Sequence, residues 1–183
     1  CAPAEGESAP TCFEVSKVLS LLESPLKNPS IIKIAHNIKY EILALKKYGL
    51  SINGPLFDTM VASYLINPSL RTHNLAQVAG IFLNYPMQPI AELIGTGKKM
   101  ITMDKVSIAK ITAYACDDAH VAFCLYKQLQ AKLKNKQADT LFTDLEMPRV
   151  EVLAAMEMNG VKIDISVLQK LSRRFSLKLK ELE

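Results

Sequence analysis

The sequence predicts an α/β protein, rich in helix and built on a partial, parallel or mixed sheet. Ile31-Ile32-Lys33-Ile34-Ala35 is a short β-branched run bounded by Pro29-Ser30 and Asn37, the pattern of a buried strand. A helical pattern follows it directly, and Leu50 to Phe57 then carries a turn at Asn53-Gly54-Pro55 and a second short strand. Strand, helix, strand in that order is how parallel strands are joined. Most of the remaining chain repeats its apolar residues at helical spacing.

Residues 1–10, CAPAEGESAP, read as a loop. Thr11-Cys12-Phe13-Glu14 fits a capping box, and Val15, Val18, Leu19 and Leu22 then mark an amphipathic helix that Ser24-Pro25 is expected to stop. After the first strand a helix is expected from Asn37 to Tyr48, closed by Gly49 as a left-handed cap. Asp58 is placed to cap a helix over 59–66. Further helices are expected over 74–83 and 90–94, followed by the loop Gly95-Thr96-Gly97-Lys98-Lys99. Ile108, Ile111, Ala115, Val121 and Leu125 mark a long helical stretch to about Lys134, expected in two pieces. A helix from Thr140 carries Pro148 as a kink or boundary and ends at Gly160, and Asp164 caps a last helix rich in Lys, Arg and Leu.

With 183 residues, 49% hydrophobic and 22% charged, the chain can bury a core and holds one domain and part of another. No apolar run approaches the roughly 20 residues that span a bilayer, so no membrane partner is expected. It opens at Cys1, with neither an initiating methionine nor a signal peptide, as an internal fragment does. The net charge of +4 is compatible with a polyanionic partner but equally with ordinary solubility. Cys1, Cys12, Cys116 and Cys124 lack metal or redox spacing and read as buried thiols of a cytoplasmic protein. His36, His73 and His120 form no ligand spacing and read as structural.

Tyr114-Ala115-Cys116-Asp117-Asp118 is the most informative stretch. Positions i and i+4 share a helix face, so Asp118 can hold a divalent metal while the Tyr114 hydroxyl orients a water, a way to hydrolyse a phosphodiester. Tyr114, Asp118, Val121 and Leu125 fall on one face, which turns Asp118 inward more than Asp117. An inward acid is costly unless paired or metal-bound. Asn37-Ile38-Lys39-Tyr40-Glu41 opens a helix after a strand, where α/β proteins build sites. Asn37 as a plain N-cap and Glu41 as a solvated first-turn acid are the bland alternatives. The Gly95 loop lacks the Walker spacing, although a basic loop beside a nucleic-acid backbone is compatible with it.

In their order these segments resemble the 3′–5′ exonuclease-type domain of family A DNA polymerases. HNIKYE at 36–41 is similar to the family's second motif, Asn-x-x-x-Asp, and YACDD at 114–118 to its third, Tyr-x-x-x-Asp. FDTM at 57–60, SYLINP at 63–68, HNLAQVA at 73–79 and GTGKKMIT at 95–102 resemble landmarks in the right order. EMPRVEVLAAMEMNGVKID at 146–164 resembles the passage into the polymerase domain. The resemblance implies an exonuclease-like domain over 1–138 and the start of a polymerase domain over 139–183.

It also implies a ribonuclease H-like (DnaQ-like) fold in which carboxylates of three motifs bind two Mg2+ or Mn2+ ions and remove the terminal nucleotide from a single-stranded primer 3′ end. On that basis Asp118 and Glu41 would be metal ligands, Tyr114 would orient the attacking water, and Asn37 and Tyr40 would lie beside the nucleotide. Two departures matter. The first motif, Asp-x-Glu on the first strand, has no counterpart in this sequence, and Glu41 stands where active members carry Asp. The expectations are therefore an inactive fragment of a proofreading DNA polymerase I or, alternatively, a non-catalytic scaffold domain; a ribonuclease D-type exonuclease is a lesser alternative. The bare edge of the strand at 31–35 is expected to favour self-association.

Overall fold

The computed structural model describes residues 13–97 and 100–182. In chain order it contains α1 (Val15–Lys27), β1 (Lys33–Ala35), α2 (Ile38–Lys46), β2 (Leu56–Asp58), α3 (Thr59–Ile66), α4 (Leu75–Leu83) and α5 (Ile90–Ile94). There follow a 3-10 turn (Met103–Lys105), α6 (Ile108–Asn135), α7 (Asp139–Leu141), a π-helical turn (Phe142–Glu146), α8 (Met147–Asn159) and α9 (Ile165–Leu182).

The α/β expectation holds. β1 and β2 pair in parallel with Lys33 opposite Leu56, Ile34 opposite Phe57 and Ala35 opposite Asp58. This register brings the carboxyl ends of both strands to one level, and each runs straight into a helix. Lys33, buried at the start of β1, donates its ammonium hydrogens to the carbonyls of Asn28 (2.5 Å) and Asn53. A buried cation solvated by two carbonyls ties the two loops that enter the strands.

The core lies between the sheet and the carboxyl-terminal half of α6. Val121, Leu125, Leu129 and Leu133 recur every four residues along α6 and are buried against Ile38, Ile42, Phe57, Ala62, Ile66 and Val78. Phe57 sits between Tyr126 and Phe142, with ring centroids 4.8 and 4.7 Å away. Phe142, Met147, Val150 and Ala154 join the same core, so packing runs without a break across residue 138. Lys39 and Glu157 form an ion pair between α2 and α8. By contrast, α1 and α9 bury no residue.

Several local expectations are corrected. α1 runs through Pro25 to Lys27. Pro25 lies in the last turn, where its missing N–H removes one ladder bond and the Asn28 N–H closes the helix on the Ser24 carbonyl at 3.1 Å. The stretch expected in two pieces is one helix of 28 residues, α6, because the leucine spine locks its second half and nothing interrupts the ladder ahead of it. Of kink and boundary, Pro148 marks the boundary: it falls in the first turn of α8, directly after the π-helical turn, where an N–H is not needed. Cys116 is exposed and Cys124 half-buried, so neither is a core thiol. Thr11 and Cys12 of the expected capping box, and Lys98 and Lys99 of the glycine loop, lie outside the described residues.

Candidate active site

Asp58 organises the carboxyl end of the sheet. Its Oδ1 accepts from the backbone N–H groups of Met60 (2.8 Å) and Val61 (3.3 Å), the N-cap of α3 that the sequence predicts. The same carboxylate also reaches across to the next helix. Oδ1 accepts from Asn37 N–H at 3.0 Å and Oδ2 from Ile38 N–H at 2.9 Å. One buried carboxylate therefore serves the first turns of two helices, with the favourable field of both.

Asn37 itself does not cap α2 with its side chain, against the plain N-cap alternative. It occupies the N-cap position of α2 in the left-handed region, φ 68 and ψ 54, and its side chain makes no cap hydrogen bond. Non-glycine residues take this conformation at a cost, and such positions cluster at functional sites. Glu41 follows in the first turn of α2. Its Oε2 is buried without a hydrogen-bond partner, and burial pushes its carboxyl above the usual value, with the charge of Asp58 acting in the same direction. Tyr40 is 70% exposed on the same turn.

Tyr114 and Asp118 lie one turn apart on α6, ahead of its buried spine, and both are half-buried. They line an open cavity of about 310 Å3 with Asn74, Leu75, Met87, Gln88 and Ile90. Burial raises the Asp118 carboxyl above its usual range and the neighbouring Asp117 adds to the shift. The Tyr114 phenol is raised by burial first and then by the charges of Asp118 and Asp117. Asp117 beside it is also half-buried, and Tyr85 donates its hydroxyl hydrogen to Asp117 Oδ1 at 2.8 Å.

The candidate residues thus form two groups. Tyr114 and Asp118 share the cavity, whereas Asn37, Tyr40 and Glu41 surround the start of α2 and do not line it. A histidine bridge connects them. His36 donates from Nε2 to the carbonyl of His73 at 2.8 Å and pairs through Nδ1 with the Thr59 hydroxyl at 2.8 Å. His73 in turn pairs through Nδ1 with the Ser63 hydroxyl at 2.9 Å, and Asn74 beside it enters the cavity wall. Both histidines are structural, as the sequence suggests. The second role of Asp58 and the parts played by Tyr85 and Gln88 went unread, because no local pattern marks a contact across more than 20 positions.

Carboxylate oxygens are donors of the type that Mg2+ and Mn2+ take. Among the described residues, however, no three His, Cys, Asp or Glu side chains come together to hold a metal ion. Asp118 and Glu41 do not make a two-metal centre by themselves.

A short parallel sheet whose strand ends feed helices, flanked by a tyrosine and an aspartate one turn apart on a crossing helix, is the layout of a ribonuclease H-like exonuclease domain. The chain belongs to the 3′–5′ exonuclease family of family A DNA polymerases, whose family model matches residues 1–134. It is 34% identical to DNA polymerase I of Rhizobium leguminosarum over 154 residues, covering 84% of this chain and 15% of that protein. It is 31% identical to DNA polymerase I of Pseudomonas aeruginosa over 177 residues, covering 95% of this chain and 19% of that one. The chain spans less than a fifth of the length of these relatives.

Among solved structures, the polymerase domain of Pol1 from M. smegmatis in complex with a DNA primer-template and dNTP superposes with a TM-score of 0.68 at 22% identity, covering 88% of this chain and 25% of that one. Brucella melitensis NrnC gives 0.62 at 21% identity, covering 79% and 67%. At these identities the likeness speaks for the fold.

Proposed function

We propose that residues 1–138 are the 3′–5′ exonuclease-type domain of a DNA polymerase I, that 139–183 begin its polymerase domain, and that the whole protein hydrolyses phosphodiesters at a primer 3′ end in the cytoplasm. The observation that carries this reading is the shared placement of Tyr114 and Asp118 on one cavity, in a chain whose family is 3′–5′ exonuclease. In this reading Asn37 and Tyr40 contact the single-stranded DNA end, and Tyr114 orients the attacking water. Asp118 and Glu41 contribute oxygens toward Mg2+ or Mn2+, which in such chemistry neutralises the phosphate. No hydrolytic step follows from those two carboxylates alone. The rest of the polymerase chain is the intramolecular partner, and the open edge of β1, with Ile31 and Ile32 just ahead of it each 43% exposed, supports self-association.

A second reading makes the domain a non-catalytic scaffold of the polymerase. It is favoured by Glu41 in the second-motif acid position. The two separate in one experiment on 3′-labelled single-stranded DNA with Mg2+ or Mn2+. The 183-residue chain alone is expected to release no nucleotide. The full-length protein is expected to release them, and Asp118→Ala in that protein to stop the release. Equal rates for D118A and its parent would establish the scaffold reading. A preference for RNA over DNA would point to a ribonuclease D-type enzyme instead.

A further inference from the structure

We propose that Asp58 is the positioning residue for the α2 half of the site: by capping α2 from a neighbouring strand, it holds Asn37 in the left-handed turn and presents the Asn37 amide and Glu41 to the ligand. This rests on the exonuclease reading for its consequence, but its geometry stands by itself.

An N-cap residue ordinarily turns its own side chain back onto the second or third N–H of the helix. Asn74 does this at the start of α4, where its side chain accepts from Gln77 N–H at 2.9 Å. Asn37 has the same side chain at the same helix position and does not. The difference lies in the backbone: Asn74 is extended, φ −67 and ψ 155, whereas Asn37 is left-handed, φ 68 and ψ 54, a turn in which its own N–H and that of Ile38 end on Asp58, at 3.0 and 2.9 Å. The Asn37 amide, uncommitted to the helix cap, is available to a partner outside the protein. The left-handed backbone, φ 68, is the geometry in which two successive N–H groups converge on one carboxylate, and Asp58 at 1% exposure keeps water from competing for them.

The two carboxylate oxygens divide the work. Oδ2 serves Ile38 alone, whereas Oδ1 serves Asn37 together with Met60 and Val61 of α3. That division makes the role separable from plain capping of α3. In Asp58→Asn the amide oxygen can keep the Oδ1 bonds while an NH2 group faces the Ile38 N–H. In Asp58→Ser the hydroxyl is suited to cap α3 locally but is too short to reach α2. A third variant, Asp164→Ala, removes the cap that Ser166 and Val167 use at α9 and serves as the control for cap loss away from the site.

The test uses full-length polymerase. Amide hydrogen exchange resolved at Asn37 and Ile38 reads the geometry, release of nucleotide from 3′-labelled single-stranded DNA reads the consequence, and primer extension on an annealed template is the internal control. In D58N and D58S, exchange at Ile38 should rise by about tenfold or more, and D58S should free Asn37 as well. The kcat for nucleotide release should fall by about a hundredfold with KM changed far less, since Asn37 is misplaced rather than removed. Primer extension, and nucleotide release by D164A, should stay at the parent level.

Parent-like exchange at both amides in D58S would overturn the proposal, and so would unchanged kcat in a variant whose amides have been freed. If the unmutated protein releases no nucleotide, the exonuclease reading fails. The exchange data then decide the positioning role on their own.

Discussion

Tyr85 donates its hydroxyl hydrogen to Asp117 at 2.8 Å, which ties the segment after α4 to α6 at the residue next to Asp118. Asn84, left-handed with φ 52, turns the chain out of α4 so that Tyr85 faces α6. Met87 and Gln88 then form one wall of the cavity that Tyr114 and Asp118 form on the other side. The bond also raises the Tyr85 phenol above its ordinary value of 10.0, through the hydrogen bond first and the charge of Asp117 second. Asp117→Asn should bring the phenol back toward that value in a spectrophotometric titration. Tyr85→Phe should speed exchange in the 84–90 segment while the melting temperature barely moves. An unchanged phenol in D117N would show that the bond does not form in solution.

Asp58→Ala removes four acceptor contacts from two helix starts in a buried setting. Caps are worth about 1 kcal/mol each and an unsatisfied buried N–H costs about 1–3, so the loss should be about 2–4 kcal/mol. Urea denaturation measures it. A change below about 0.5 kcal/mol would mean that water or another group replaces the carboxylate.

Glu41 makes the protein less stable as pH rises. Its carboxyl is raised above 4.5 in the folded state by burial, so the unfolded chain gives up the proton first. Stability attached to this group is full below 4.5 and is lost as pH climbs through the raised value. Glu41→Gln should flatten the stability curve in that window, with the variant the more stable of the two at neutral pH. Denaturation midpoints of the pair across the acid range test it.

His36 acts in the opposite direction. Burial holds its imidazole below 6.5, against the opposing pull of the His73 carbonyl and Asp58. The folded state favours the neutral ring, so its contribution is present above 6.5 and is lost as pH falls through the lowered value. His36→Gln, which can still donate to the His73 carbonyl, should lose this dependence. A titration of the ring by NMR that gives a value above 6.5 would contradict it.

The open edge of β1 predicts association of the 183-residue chain at high concentration. Replacing Ile32, the residue just ahead of β1, with Lys should reduce it, because a charge beside a sheet edge disfavours a second strand. Light scattering that shows a monomer at all concentrations would refute this.

Much of the site was legible because its signals are local. Asp58 and Asp164 announce helix starts by cap chemistry, and both cap as expected. Tyr114 and Asp118 share a face because helical spacing demands it. Glu41 and Asn37 were placed by position after a strand, without any sign of what surrounds them. Pro25 is the converse case: a proline rule knows the residue but not that it falls in a last turn, which the helix completes.

The sequence by itself determined the strand–helix–strand order, the Asp58 and Asp164 caps and the Tyr114–Asp118 pair, since periodicity and capping act over a few neighbouring residues. Only the tertiary structure decided that the strands pair in parallel, that Asp58 serves two helices, that Asn37 stands left-handed with its side chain off the cap, that α6 runs unbroken and that Tyr85 closes on Asp117. Each of these is a contact or a continuity set by surfaces distant in the chain, where burial and competing partners outweigh local preference.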